Sequence, residues 1–499
     1  MRLTFTASIA AISLIATAAP ALGQQGSVQP FSQAERQQGA QAHQEIMREF
    51  GDAYAGPQAN YVRGVGQNIA VQSGLSSART DFTVTLLNSP VNNAFALPGG
   101  YVYGTRQLMA LMNNEAELAG VLGHEVGHTA ARHARARQAR AQRNSIAGIL
   151  GTILGGAIGD NGGLLGALGG LLQNNAMRAA QLATLGFSRS QETAADDLGI
   201  RYLTSAGYDP MALSTMLASL AAQNNLDVRV TGRDARAIPE WASTHPDPAS
   251  RVRRAADAAR RTGMTNGRVN RDPFLNALNG VMYADDPRQG VIEGRQFLHP
   301  DLRLGFTAPT GFGMMNAPTA VTISGTSGQS QFTTAAYNGN LDAYIEQAFR
   351  ALVQGANGQQ GQMPNIGNIQ RTTVNGIPAA YATARANTGQ QQVDVTVFAY
   401  EFARDRAYHF VSITPAGQGR VFNDMYGSVR RLDSREAAAI RPRRLEVVTV
   451  RRGDTVQSLA QRMAYNDYRE ERFRVLNGLA SGTTALTVGQ RVKIVTYGS

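Results

Sequence analysis

The sequence predicts a multidomain α+β protein, and three observations lead there. The chain has 499 residues, more than a single hydrophobic core usually organises. Two strand-like pieces, 81–87 and 91–97, precede long helix-forming stretches. Beyond a boundary between Gly263 and Asp285, strand and helix patterns mix again. A content of 43% hydrophobic and 17% charged residues suits globular domains, and 53 glycines indicate several turn-rich stretches.

The elements follow in order. Ser32 to Glu35 has capping-box spacing, so a helix is expected from there to Phe50, and Pro57 suits the start of a second. Phe82, Val84 and Leu86 alternate with polar or small residues as in a half-buried strand. An extended piece from Val91 to Leu97 stops at Pro98-Gly99-Gly100. Leu, Ala, Glu and Arg dominate from Gln107 to about Arg143, and Leu108, Leu111, Leu118, Val121 and Leu122 suggest buried helical faces. Further helices are expected at 179–205 and 210–224. Strands are expected at 303–306, 320–325, 393–402 and 406–414, with helices at 341–353 and 421–430.

Between the helices, Ser145 to Met177 carries Asp160 as its only charge. Each apolar half is shorter than the roughly 20 residues a membrane-spanning helix needs. The stretch therefore reads either as a hairpin that covers a cleft or touches a membrane surface, or as a glycine-rich loop packed on the domain.

Arg2, the uncharged run Leu3–Ala19 and Ala21-Leu22-Gly23 form a signal-peptide pattern over residues 1–23, so export to the periplasm or cell envelope is expected. The net charge of +11 comes almost wholly from arginine, Lys493 being the only lysine. These arginines are scattered without an interleaved aromatic signature, which argues against nucleic acid as a partner. There is no cysteine, so a soft-metal site must use histidine and carboxylate.

The chemistry concentrates at Leu122-Gly123-His124-Glu125-Val126-Gly127-His128. Two histidines four apart lie on one helical face and can share a cation, while Glu125 beside them can accept a proton from an attacking water. A catalytic zinc ion needs a third protein ligand. Glu192 and Asp196 lie one turn apart on a predicted helix, either as a solvated acidic face or as that ligand and an acceptor for an imidazole N–H. His133, among Arg132, Arg135 and Arg137, reads as helix surface.

Three motifs in order, Asn93-Ala94-Phe95-Ala96-Leu97-Pro98-Gly99-Gly100, then Glu117 to His128, then Glu192-x-x-Ala195-Asp196, resemble the HtpX and BepA type of gluzincin. That family includes the CaaX prenyl proteases, and the resemblance covers about residues 32–260. It implies a mostly helical metalloprotease domain with a small edge-stranded sheet, Zn²⁺ on His124, His128 and Glu192, Glu125 as base, and Asp196 behind the metal. It also places His245, within Ser243-Thr244-His245-Pro246 and ahead of Arg251, near the ion. There His245 acts as an oxyanion donor or sits on a loop that restrains the resting site. Asn93, Ala94, Phe95 and Ala96 fit a cleft-edge strand to which an extended polypeptide substrate adds its backbone.

Val448 to Val456, Leu476-Asn477-Gly478-Leu479 and Leu486 to Ile494 resemble a LysM domain in a βααβ arrangement. The resemblance implies affinity for peptidoglycan-type glycans, although the charged run Asp467–Arg474 departs from the usual pattern. The expected organisation is a signal peptide (1–23), a protease domain (24–265), a linker (266–289), an α+β domain (290–432), a second linker (433–445) and a LysM-like module (446–499). The expected function is a zinc endopeptidase of envelope protein quality control. The alternative is a chaperone-like or peptidoglycan-binding envelope protein whose protease site is autoinhibited or rarely used.

Overall fold

The computed structural model describes residues 28–50, 52–133, 187–231, 245, 248–353, 365–387 and 392–498. The signal-peptide segment and the glycine-rich stretch 145–177 lie outside the described residues. Among those described, no helix is long and apolar enough to cross a membrane.

Helix α1 (Gln33–Phe50) starts at the Ser32/Glu35 box. Ser32 N donates to Glu35 Oε2 at 2.9 Å and Glu35 N to Ser32 Oγ at 3.2 Å, which satisfies amides that a helix start leaves open. Helix α2 (Pro57–Ala70) has proline in its first turn, where no amide is required. Strands β1 (Thr83–Leu87), β2 (Ala94–Leu97) and β3 (Tyr101–Thr105) form a sheet in the order β1-β3-β2. β1 runs parallel to β3, and β2 pairs antiparallel with it. The β2–β3 turn needs glycine: Gly100 has φ +95°, and a Cβ there would lie 2.3 Å from the Asp81 carbonyl oxygen.

The helical stretch expected from Gln107 is divided. Helix α3 (Arg106–Leu111) ends at Met112, and α4 (Glu115–Ala130) restarts after Asn114, whose Oδ1 accepts the Glu117 amide at 2.9 Å. The asparagine competes for backbone donors, so the chain breaks there despite good helix formers on both sides. From Glu115 to His128 every residue of α4 is buried, because α2, the sheet, α5 (Arg189–Ser205) and α6 (Ala212–Thr231) surround it. Helix α7 (Pro248–Arg261) packs on α5 and α6.

Residues 266–289, expected as a linker, contain helix α8 (Arg271–Leu278) and strand β4 (Met282–Tyr283). Phe274, Leu275 and Leu278 are fully buried in the same core as α4.

The next region has two sheets. Strands β8 (Gly313–Ala317), β9 (Ala320–Gly325), β10 (Gly328–Thr334), β11 (Gln370–Val374), β12 (Ile377–Asn387), β13 (Gln392–Ala403) and β14 (Arg406–Pro415) form an antiparallel sheet ordered β11-β12-β13-β14-β10-β9-β8. Helix α9 (Leu341–Val353) covers one face, with Ile345, Phe349 and Leu352 against Val395 and Val397. On the other face Phe398, Tyr400 and Phe410 meet a smaller sheet of β5 (Val291–Glu293), β6 (Gln296–His299), β7 (Leu304–Thr307) and β15 (Arg430–Arg431). The helix expected at 421–430 shortens to α10 (Asn423–Gly427).

The expected second linker carries α11 (Ser434–Ala439) and the start of β16 (Arg443–Thr449). Helices α12 (Val456–Gln461) and α13 (Arg469–Leu476) and strand β17 (Arg491–Tyr497) complete the βααβ unit, so the charged run Asp467–Arg474 supplies most of its second helix. β16 pairs with both β17 and β4. Leu459, Phe473, Leu476 and Ile494 belong to the same core as α3 and α4. Lys493 is buried there, with Nζ donating to the Ala110 and Leu111 carbonyls at 2.8 and 3.3 Å and also to that of Met112. The amine thereby satisfies carbonyls at the C-terminal end of α3.

Candidate metal centre

Glycines set the spacing on which the site depends. A Cβ on Gly199 of α5 would stand 3.1 Å from His124 N, and one on Gly127 of α4 would stand 3.1 Å from Ala195 O. Without side chains at these points α4 and α5 approach closely enough for Glu192 to reach both histidines. His124 Nε2 and His128 Nε2 lie 3.0 Å apart, Glu192 Oε2 is 3.6 Å from His124 Nε2, and Glu192 Oε1 is 3.4 Å from His128 Nε2. Four donor atoms on His124, His128, Glu192 and His245 all fall within 4.8 Å of one another, and all four residues are buried.

These separations fit a cation. Tetrahedral ligands at about 2.0–2.1 Å from zinc stand about 3.3 Å from one another, close to the spacing among His124, His128 and Glu192. Nitrogen and carboxylate oxygen donors suit zinc in a chain without cysteine.

Glu125 points into the same pocket. Its Oε1 is buried with no hydrogen-bond partner among the described residues, 3.5 Å from His245 Nε2. Burial pushes the carboxyl up to about 8 against the opposing influence of His124, and a divalent cation alongside would lower it.

Behind the donors, His124 Nδ1 lies 3.0 Å from Asp196 Oδ1. Burial opposes ionisation of Asp196, but hydrogen bonds from His124 and Arg251 overcome it and hold the acid at about 2. Glu192 is likewise buried, yet His245, His128 and His124 keep it far below the usual carboxylate range. Burial pushes His128 well below its ordinary value, which leaves the neutral ring a metal requires. His245 Nδ1 is 3.1 Å from Glu192 Oε1 and 3.4 Å from His124 Nε2.

Two residues that the sequence left in the background sit at the centre. Arg251 is buried: its Nε donates to Asp196 Oδ2 at 2.9 Å, one terminal nitrogen to Asp196 Oδ1 and the other to Glu192 Oε2. His133, expected on the helix surface, is buried with Nδ1 2.9 Å from His128 Nδ1. Arg251 entered the sequence reading only as the last residue of the motif that carries His245, whereas nothing local distinguished His133 from its arginine-rich neighbours.

The stretch expected to receive substrate lies at a sheet edge. Among the described residues β2 has one strand neighbour, β3. The side chains of Asn93, Ala94 and Phe95 are buried and only Ala96 is partly exposed. Phe95 stacks on Tyr103 at 4.7 Å. What the edge offers a ligand is therefore chiefly backbone.

A buried helix with paired histidines, a carboxylate from a second helix and an edge strand beside them define a metallopeptidase-type domain. Residues 57–259 match the model of Peptidase family M48, and residues 448–495 match that of the LysM domain. The beta-barrel assembly-enhancing protease of Yersinia pestis is 35% identical over 202 residues, 40% of this chain and 38% of that protein. Its namesake from Escherichia coli (strain K12) is 33% identical over 204 residues, with the same coverage. The mitochondrial metalloendopeptidase OMA1 of Schizosaccharomyces pombe is 31% identical over 223 residues, covering 44% of this chain and 59% of that one. The alignment thus spans well under half the length of the two bacterial relatives. The chain carries an M48 peptidase domain with a C-terminal LysM domain.

Proposed function

We propose that this protein is a zinc-dependent endopeptidase of the bacterial cell envelope that hydrolyses unfolded or misassembled proteins. The observation that carries this reading is the convergence of His124, His128 and Glu192 donor atoms beside a buried Glu125. His124, His128 and Glu192 would hold Zn²⁺, which when bound supplies a Lewis acid that polarises the scissile carbonyl and acidifies water. Glu125 takes the proton of the attacking water and returns it to the departing amine. Asp196 fixes the ring of His124, and Arg251 holds Asp196 and Glu192 in place. The edge of β2 from Asn93 to Ala96, which has no second strand neighbour among the described residues, pairs with extended substrate backbone, which favours unfolded chains over folded ones.

The residue 1–23 pattern supports export to the periplasm or envelope, and relatives named for enhancing β-barrel assembly favour quality control as the setting. The catalytic unit is taken as 24–265 and the LysM module, 446–499, as a glycan-binding positioner on peptidoglycan. Residues 145–177 are proposed to contact the membrane surface; nucleic acid is not a proposed partner.

His245 favours a second reading. It lies among the donors, near the corner that attacking solvent requires, so a resting protein held shut and acting as an envelope chaperone or glycan-binding protein is the alternative. Metal analysis and casein cleavage with and without chelator test the first reading. Glu125→Gln should lower cleavage by about 10²–10⁴-fold while zinc content and fold persist. Chaperone-like activity without any wild-type cleavage would favour the second.

A further inference from the structure

The two histidines of α4 are supported differently. His124 has a carboxylate behind it, Asp196, whereas His128 has a second imidazole, His133, with the two Nδ1 atoms 2.9 Å apart. With a metal on His128 Nε2 the ring hydrogen would sit on Nδ1, where His133 Nδ1 is placed to accept it. Phe187 stacks on the His128 ring at 3.7 Å between centroids and 21° between planes, so the ring is confined in its plane as well as at its edge.

The chain is shaped to deliver His133 to this position. Helix α4 ends at Ala130, and Arg132 then adopts φ +49°, a left-handed conformation that residues other than glycine rarely take. The Arg132 side chain is held while it does so. Its Nε donates to Glu35 Oε1 at 3.2 Å, and a terminal nitrogen donates to the carbonyls of Gln29 and Pro30 at 3.2 and 3.3 Å. Glu35 is itself fixed by the capping box of α1. On the far side the His133 carbonyl accepts Gln191 Nε2 at 3.4 Å, next to Glu192. A left-handed turn clamped by the N-terminal segment therefore folds His133 back under one donor helix and joins it to the other.

From this we infer that His133 is a positioning residue for the metal centre: it fixes the tautomer and ring orientation of His128, and the Arg132–Glu35 pair holds it there. The inference rests on the zinc-site reading above. A neutral imidazole polarises His128 less than a carboxylate polarises His124, so the two nitrogen ligands are unequal by construction.

The test is zinc affinity of the full-length, metal-free protein, measured by competition with a chromophoric chelator, together with the visible spectrum after loading with Co²⁺. His133→Ala should weaken zinc binding by about 10–100-fold and shift the Co²⁺ bands. His133→Gln, whose side-chain oxygen can accept the same hydrogen, should recover most of the affinity. Glu35→Gln loosens the clamp without touching the imidazoles and should weaken binding by a few-fold, with circular dichroism reporting an intact fold. The inference is overturned if His133→Ala binds zinc within twofold of wild type with an unchanged Co²⁺ spectrum. If instead wild type takes up no stoichiometric zinc, or His128→Ala binds it equally well, the metal-site reading itself is what fails.

Discussion

Replacing Arg251 by methionine tests how the carboxylates of the site are kept ionised. The substitution keeps much of the side-chain volume but removes three donated hydrogen bonds, two to Asp196 and one to Glu192. Both acids are buried, so a deleted partner leaves uncompensated charge, which costs about 3–5 kcal/mol. An independent figure agrees in order. Asp196 is held at about 2 instead of 3.8, close to two units, or about 2.5 kcal/mol, and Arg251 contributes only part of it. The sign is that of a depressed acid: the stabilisation is present above about pH 4 and disappears as pH falls toward 2.

Bound zinc supplies replacement charge next to Glu192, so the chelated protein should suffer more than the loaded one. For a domain of 150–250 residues, 3–5 kcal/mol corresponds to about 6–20 °C in Tm. Thermal unfolding of wild type and Arg251→Met, each with zinc and with chelator, reads both effects. A chelated variant that melts within 2 °C of wild type would refute the reasoning, as would one that loses more stability with zinc than without. Arg251→Lys, which keeps the charge but not the fork, should fall between.

Three further outcomes follow from the packing. Gly199→Ala places a methyl 3.1 Å from His124 N, which should cost about 1–3 kcal/mol in urea unfolding and lower zinc affinity by pushing α5 from α4. Asp285 is raised from 3.8 to about 6 chiefly by burial, even though the Ile292 amide donates to it at 2.8 Å. A raised acid stabilises the fold below its unfolded value and loses that contribution as pH climbs through 6, so wild type should lose up to about 3 kcal/mol between pH 4 and 6.5. Asp285→Asn should flatten that slope, and an unchanged Tm–pH profile would count against it. Lys493→Met removes the amine that satisfies the α3 carbonyls and should cost about 1–3 kcal/mol in urea unfolding; a change under 1 kcal/mol would show that water replaces it.

Much of the fold was legible because its signals are local. The Ser32/Glu35 box, the proline at 57 and the alternation at 82–86 each specify their own element, and the structure has them. H-E-x-x-H was legible for the same reason, since helical period alone puts both histidines on one face. Strand β3 went unread between a glycine turn and a helix-rich stretch, as its two tyrosines, valine and glycine gain meaning only from pairing with β1 and β2. The break at Met112–Asn114 hid in good helix formers. Residues 266–289 looked polar enough for a linker, yet Phe274, Leu275 and Leu278 form an apolar face that α4 and β16 cover. The partners of Arg251 and the burial of His133 were illegible for a deeper reason. A lone arginine or histidine becomes a buried partner only when tertiary packing excludes water from it.

Charge balance gives the arrangement its physical logic. Among the described residues, Glu125, Glu192 and Asp196 place three carboxylates in one buried cluster with a single guanidinium, Arg251. If all ionise, three negative charges face one guanidinium, an excess of negative charge in a buried site. Protein interiors do not tolerate that imbalance, so one acid must hold a proton or a cation must be supplied. Within the protein alone Glu125 is the acid that yields, pushed up to about 8, while Glu192 and Asp196 stay ionised through the groups that grip them. His124, His128 and Glu192 would hold a divalent ion, and its positive charge there would favour the ionised form of Glu125. On that reading, filling the site would turn its buried acid into a base.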